Sequence, residues 1–329
     1  MIFDMLVSAF GQGFIYAPMA LGVFVSFGIL KTPDLSVEGS FVFGMTVCAQ
    51  TAILGHPTAA LFAGMLAGAL AGACTGFLQT KLRIEAILSG ILTMTGLYTV
   101  NYAMLGGQSN RYLQKMTVNE AGVEVPSPVR TVYKMFQAAA GGNLDSSLSA
   151  CLLSGLIVLL TAAVLIVFFR TRRGMAIIAT GDNEEMVRSS SINADAARVA
   201  GIMIANALVG LSGAMLCQYQ QYADLNCGTG MMVMGLASVV IGTTLFGRHS
   251  VTQQIVSAAA GSLIYRCIIQ GAYKIDLPSY SVKLLSVLIV IAALVVPMLK
   301  NGRKVHAAGN AGKKAFAAGS IGKKGGSEE

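Results

Sequence analysis

The chain has 329 residues, of which 54% are hydrophobic and 12% charged, with a formal charge of +8 and a mean hydropathy of +0.67. An average soluble domain is about 25% charged, so this excess of apolar residues has no place in a water-soluble fold. Nor does the positive charge indicate nucleic acid, because Lys and Arg sit between apolar runs and in the segment 300–329, where membrane topology accounts for them.

Residues 1–30 lack the basic start of a cleaved signal peptide, carry Asp4 and stay apolar too long for one, so they are expected to remain as a first span over 8–30. A second segment, 37–54, follows the helix-breaking string KTPDLS. A third, 57–80, carries Gly64, Gly68, Gly72 and Gly76, a ladder that puts four glycines on one helical face and predicts close packing against another helix. The fourth covers 85–105. Segment 106–146 is long for a loop and includes PVRTVYKMFQ, where Val129, Val132, Tyr133 and Phe136 recur at helical spacing and predict a short interfacial helix.

The fifth span covers 147–169 and is followed by a polar stretch, 170–195, too patterned for a disordered loop. Asp182 with Glu185 three residues later predicts a capping box and a short helix over 183–191; Ser191, Ile192 and Asn193 break it, and Asn193 or Asp195 caps a long helix running to Gln220. The sixth, seventh, eighth and ninth segments cover 196–220, 231–246, 251–272 and 280–299. The seventh is short and follows ADLNCGTG, so it and the second segment are expected to be broken or re-entrant helices lining a pathway. From Lys300 onward the chain is Gly, Ala, Ser and Lys with AAGNAGKK echoed by AAGSIGKK, a basic low-complexity tail expected to be disordered and able to touch anionic lipid.

The expected fold is therefore an all-α polytopic bundle of about 8–10 transmembrane helices, a domain over 1–299 with the tail 300–329 appended. Placing 170–195 on the cytoplasmic side puts Lys31, Lys81, Arg83, Arg170, Arg172, Arg173, Arg188, Arg198, Arg248 and the tail inside, leaving Arg111, Lys115, Arg130, Lys134 and Lys274 outside. The N-terminus then faces out and the C-terminus faces the cytoplasm, with 106–146 outside.

No motif for covalent chemistry is present. ATP hydrolysis needs a phosphate-cradling glycine loop followed by Lys and Ser or Thr; the nearest string, AAGNAGKKA, has Ala307 for the first glycine and Lys314 for the hydroxyl. His56, His249 and His306 are far apart, no nucleophile elbow occurs, and the cysteines Cys48, Cys74, Cys151, Cys217, Cys227 and Cys267 show no metal-binding spacing, so neither catalytic residues nor a metal site is expected.

Polar groups in apolar spans are costly unless they face water, protein or solute. Asp34, Ser36 and Glu38 open the second segment, framed by Pro33 and Gly39, and are pathway candidates, with capping by Asp34 as the plainer role. Asn101, Tyr102, Asn206, Gln218, Tyr219, Gln220, Gln221 and Tyr222 are further candidates, since amides and phenols can hold a zwitterion without fixed charge. Glu85, Arg266 and Lys283 are read as snorkelling or paired groups at span ends.

Three strings carry a family resemblance. The first, RGMAIIATGDNEEMVRSSSINADAARVAGIMIANALVGLSGAM over 173–215, resembles the coupling segment of permeases in the branched-chain amino-acid and ribose transporter family, where a GDN motif and a Gly-Ile-Asn precede a glycine-rich helix; Ser191 stands here for that glycine. GILKTPDLSVEGSFVFGM over 28–45 is similar to the family's DLSVG signature with Glu38 inserted before Gly39, and GLASVVIGTTLFG over 235–247 is similar to its VVIGGTSLFGG with Thr243 for a glycine. The resemblance implies that Gly181, Asp182, Asn183, Glu184, Glu185 and Arg188 transmit movement from a cytoplasmic ATPase subunit. It implies further that ATP and Mg are bound by that partner rather than by this chain. A second permease copy, an extracytoplasmic solute-binding protein, membrane lipid, a plasma-membrane location (the bacterial inner membrane) and an amino-acid solute, branched-chain or aromatic, complete the expectation. The alternative is an ion-coupled secondary transporter, which needs intramembrane carboxylates; Glu38 and Glu85 are its only candidates.

Overall fold

The computed structural model describes residues 2–118, 124–141, 145–190, 192–247 and 250–273, with isolated positions 284, 287–289 and 291 beyond. Helix α1 (Ile2–Val23) continues as a π-helical turn, Phe24–Ile29; α2 (Ser36–Ile53), α3 (Pro57–Thr80) and α4 (Ala86–Met104) follow. Strands β1 (Asn110–Tyr112), β2 (Gln114–Val118) and β3 (Glu124–Pro128) lead to α5 (Val132–Ala139) and α6 (Ser146–Phe169). Then come α7 (Arg172–Asp182), α8 (Glu184–Ser189), α9 (Ala194–Gln220), β4 (Tyr222–Asp224), a 3-10 turn (Leu225–Gly228), α10 (Met231–Phe246) and α11 (Val251–Tyr273).

Six helices among the described residues are long and apolar enough to cross a bilayer: α1 with its π turn, α3, α6, α9, α10 with its 3-10 lead, and α11. The remaining two long helices, α2 and α4, have 18 and 19 residues, about 27–29 Å at 1.5 Å per residue. The chain is a polytopic all-α membrane protein. The expected ninth span, 280–299, falls outside the described residues apart from the isolated positions, as does the tail 300–329. Apolarity and burial run opposite to a soluble protein: α6 has the highest mean hydropathy of the six, 2.9, with 28% of its window buried, whereas α9 has 72% of its window buried. Leu152, Leu156, Leu159, Leu160, Val164 and Val167 of α6 are exposed, a surface stable only against lipid or another apolar face.

The centre is α9, and glycine decides how closely its neighbours approach. The ladder on α3 faces it antiparallel: a Cβ at Gly68 would collide with the carbonyl of Asn206, at Gly72 with that of Ile202, and Gly76 stands against the backbone of Val199. On the other side, Gly213 of α9 meets the Phe41 carbonyl of α2, and Gly44 of α2 meets Gly210. Three backbones thus touch with no intervening side chains, where dispersion replaces the hydrophobic effect as the force between helices.

Two expectations need correction. Segment 106–146 contains strands as well as the predicted helix: β2 pairs antiparallel with β3, and β1 pairs with β4, Asn110 opposite Asp224 and Tyr112 opposite Tyr222. The partner of β1 lies 110 positions along the chain from Tyr112 to Tyr222, so no local pattern revealed it. The predicted amphipathic helix is present as α5 from Val132, with Tyr133 buried and Val132 and Phe136 packed beside it; Val129, also buried, precedes the helix and packs in the main core. Secondly, the short helix after Asp182 is capped by Asn183, whose side chain accepts from the Met186 N–H, so Asp182 and Glu185 form no capping box. Asn193 caps α9 by accepting from Ala196, one of the two alternatives expected.

Candidate functional site

Residues Leu30–Leu35 fold back into the bundle rather than lying at its end. Asp34 is level with Asn206, twelve residues into α9 and so about 18 Å from its start. There the Asp34 carboxylate accepts from the Ser36 N–H (2.9 Å), the Ser36 hydroxyl (2.5 Å) and the Asn206 amide (2.7 Å). All three residues are buried. Three pathway candidates are therefore brought together, but as a sealed cluster that fastens the start of α2 to α9, and Asp34 serves as the Asx-type cap that its position before Ser36 suggested.

A second irregular segment meets the first. After α9 the chain turns at Gln221 (φ 62) and descends through β4, where the Asp224 N–H reaches the Met45 sulfur at 3.4 Å, to Gly230, whose N–H donates to Glu38 Oε1 at 2.9 Å. Helix α10 therefore begins inside the bundle, beside the second residue after the start of α2, and Glu38 supplies a carboxylate to its N-terminus, where the helix dipole favours negative charge. Both helices of the second and seventh segments thus begin after irregular backbone inside the bundle, as expected of broken helices, and that backbone borders a shared space. The space is a cavity of about 350 Å³ lined by Glu38, Tyr98, Asn101, Asn226 and Thr229 among others. Asn101 is held by the Gly39 carbonyl (3.3 Å) and the Thr46 hydroxyl (3.3 Å). Tyr102, on the next position of α4, is exposed and outside that lining.

The remaining candidates lie at the end of the bundle that carries the strands. Gln218 is buried and structural: its amide donates to the Pro57 carbonyl (2.7 Å) and its oxygen accepts from the Val132 N–H (2.8 Å), fastening α9 to the starts of α3 and α5. Tyr219 packs edge-on against Tyr133 with ring centroids 5.9 Å apart. The Tyr133 hydroxyl meets Ser154 at 3.3 Å, and burial pushes its phenol well above the ordinary tyrosine range. Gln218, Tyr219 and Gln221 border a cavity of about 380 Å³ here, while Gln220 and Tyr222 are not in its lining; Tyr222 instead packs on Tyr112.

At the opposite end, between α6 and α9, lie α7 and α8. A Cβ at Gly181 would overlap the carbonyl of Ile29, so α7 rests directly on the last turn of the α1 span, and Lys31 (φ 54) pairs with Asp182 at 2.8 Å. In α8, Glu184 pairs with Arg188 four residues on (2.8 Å) and with Arg198 of α9, while Arg188 reaches Asp195 (2.5 Å). Glu185 has no such partner among the described residues. The segment 172–189 is thus in contact with both α1 and α9.

The model of the permease component of branched-chain amino acid transport systems matches residues 5–294 of this chain. The chain belongs to this permease family. A tyrosine transport system permease protein of Clostridioides difficile (strain R20291) is 31% identical over 290 residues, covering 88% of this chain and 90% of that protein. An uncharacterised protein of Rickettsia prowazekii (strain Madrid E) is 25% identical over 286 residues, covering 86% and 94% respectively. No solved structure matches. The permease is a membrane-integral transport component of the cell membrane. Its Arg266, read from the sequence as snorkelling or paired, is paired with an aromatic ring: the guanidinium carbon lies 3.5 Å over the Tyr16 ring, which stacks on Phe41 with centroids 6.2 Å apart. Sequence reasoning missed the roles of Lys31, Asp195 and Arg198 in the permease. Only Glu184 to Arg188, at helical spacing, was legible as a pair.

Proposed function

We propose that this permease is the membrane subunit of an ATP-driven importer of amino acids, acting as a homodimer with two cytoplasmic ATPase subunits and an extracytoplasmic solute-binding protein. ATP and Mg belong to the ATPase partner. In this reading the end carrying α7 and α8 faces the cytoplasm, with the N-terminus outside, the domain 1–299 spanning the membrane and the tail 300–329 inside. Gly181, Asp182, Asn183, Glu184, Glu185 and Arg188 receive the ATPase movement. The observation that supports this most is the double attachment of that segment, to α1 through Gly181 and the Lys31–Asp182 pair and to α9 through Glu184 and Arg198. Movement of α8 is passed to α1 and α9, and from α9 through the Asn206–Asp34 bond to the start of α2, which carries Glu38 and borders the cavity, giving alternating access by displacement of packed helices. The solute is a tyrosine-like aromatic amino acid, in keeping with the relative's name.

The test is reconstitution with the ATPase and binding protein in liposomes, measuring amino-acid uptake and solute-stimulated ATP hydrolysis. Uptake that persists without ATP and follows an imposed ion gradient would establish the secondary-transporter reading instead.

A further inference from the structure

A cavity of about 580 Å³ lies between the α3–α4 turn and the α8–α9 corner, within the roughly 300–1,000 Å³ of small-molecule sites. Its walls carry charge of both signs. Arg188, Arg198, Glu184 and Asp195 are ion-paired with one another, whereas the side chains of Arg83 and Glu85, exposed at its rim on the α3–α4 turn, have no ion pair or hydrogen bond among the described residues. Gln79 lines the same space, is 7% exposed, and has neither amide atom hydrogen-bonded; the Arg198 Nε beside it is likewise buried without a partner. A buried amide left wholly unsatisfied is costly, so Gln79 marks a place where a polar ligand, not protein, completes the hydrogen bonding.

We propose that this cavity binds the α-amino-acid zwitterion on the face carrying α8, and that occupancy slows transport. The unpaired charges are one guanidinium and one carboxylate, matching one carboxylate and one ammonium in the ligand, and Gln79 offers a donor and an acceptor in the same cavity. A simple anion would leave Glu85 opposed to it, and a simple cation would leave Arg83 so. A zwitterion held by Arg83, Glu85 and Gln79 can also reach the unpartnered Arg198 Nε of α9 in the same cavity lining, and so bridges the α3–α4 turn to the corner where Glu184 and Arg198 tie α8 to α9 and restrains the segment that must move. The inference rests on the importer reading above, since it assumes that the solute is an amino acid and that α8 is coupled to transport.

The test uses the complete permease–ATPase complex in lipid nanodiscs, driven by saturating solute-loaded binding protein. L-Tyrosine near its solubility limit and millimolar L-leucine are each added, and the ATPase rate and equilibrium binding of the labelled amino acid without binding protein are measured. The expected result is binding and inhibition by at least one of the two, with tyramine and 3-(4-hydroxyphenyl)propionate, which each lack one charge, without effect. Arg83→Gln and Glu85→Gln each weaken binding about tenfold and relieve inhibition while the uninhibited rate is retained. Gln79→Leu does the same without changing charge. Failure of both amino acids to bind a complex that is otherwise stimulated by loaded binding protein overturns this inference alone; absence of any such stimulation overturns the importer reading. Inhibition that survives all three variants, or loss of the ATPase subunit from the Arg83→Gln complex, also overturns the inference, the latter because it shows the cavity to be filled by the partner protein.

Discussion

The side-chain amide of Asn206 donates to Asp34 Oδ2 at 2.7 Å across 172 positions of sequence, joining the middle of α9 to the non-helical start of α2. Asn206 also presents its backbone to Gly68, so one residue unites α2, α3 and α9. A carboxylate this deep in an apolar bundle is tolerable because each of its oxygens has a donor.

Removing the Asn206 donor leaves the buried Asp34 Oδ2 without a partner, and removing the carboxylate leaves the Asn206 and Ser36 donors without it. Asn206→Ala is expected to destabilise the protein by about 1–3 kcal/mol, and Asp34→Ala by a similar amount. The double variant should cost less than the sum, because deleting both partners removes the desolvation penalty along with the bond. Thermal unfolding in detergent of the four proteins measures this, and strict additivity would show the pair to be uncoupled.

Close packing of α3 on α9 makes a sharp prediction at the glycine ladder. Gly68→Leu has no space against the Asn206 carbonyl and is expected to abolish the monodisperse folded protein, whereas Gly96→Ala on α4, with nothing within 4 Å of the added Cβ, should leave uptake unchanged. Size-exclusion profiles and uptake assays separate the two.

For the coupling segment, Glu184→Lys with Glu185→Lys is expected to uncouple ATP hydrolysis from uptake while membrane insertion remains intact. Most of the effect should come from Glu184, which holds Arg188 and Arg198, and little from Glu185. Lys31→Ala breaks an exposed pair worth no more than about 1 kcal/mol, so it should reduce uptake per ATP without lowering the unfolding temperature measurably. A matching fall in stability would reassign that pair to structure.

At the meeting of the two irregular segments, Glu38→Gln keeps an acceptor for the Gly230 N–H and removes only the charge at the α10 N-terminus, worth about 0.3–1 kcal/mol. Glu38→Ala removes both. Uptake should fall in the order wild type, Glu38→Gln, Glu38→Ala; equal loss in both variants would mean that charge rather than the hydrogen bond matters.

Local chemistry was readable wherever the cause lay within a few residues. The apolar runs, the glycine ladder, the cap by Asn193 and the helix from Val132 each depend on spacing along one helix, and each is present. Asp182 misled because its spacing to Glu185 satisfies the capping pattern equally well; the choice of Asn183 goes with α7, which extends to Asp182 and leaves that carboxylate to Lys31. The family resemblance reached residues 173–215 for the same reason, since its motifs are contiguous strings.

What the sequence by itself determined is that this chain lives in a membrane and which short polar stretches interrupt its apolar runs, because these follow from composition and periodicity. Tertiary structure alone decided that Asp34, Ser36 and Asn206 form one sealed cluster, that Glu38 sits at the start of α10, and that Gln79 stands unsatisfied beside the α8–α9 corner. Those relations join residues far apart in the chain, and the distance between two such side chains is set by how closely glycine lets the helices approach, which no single segment encodes.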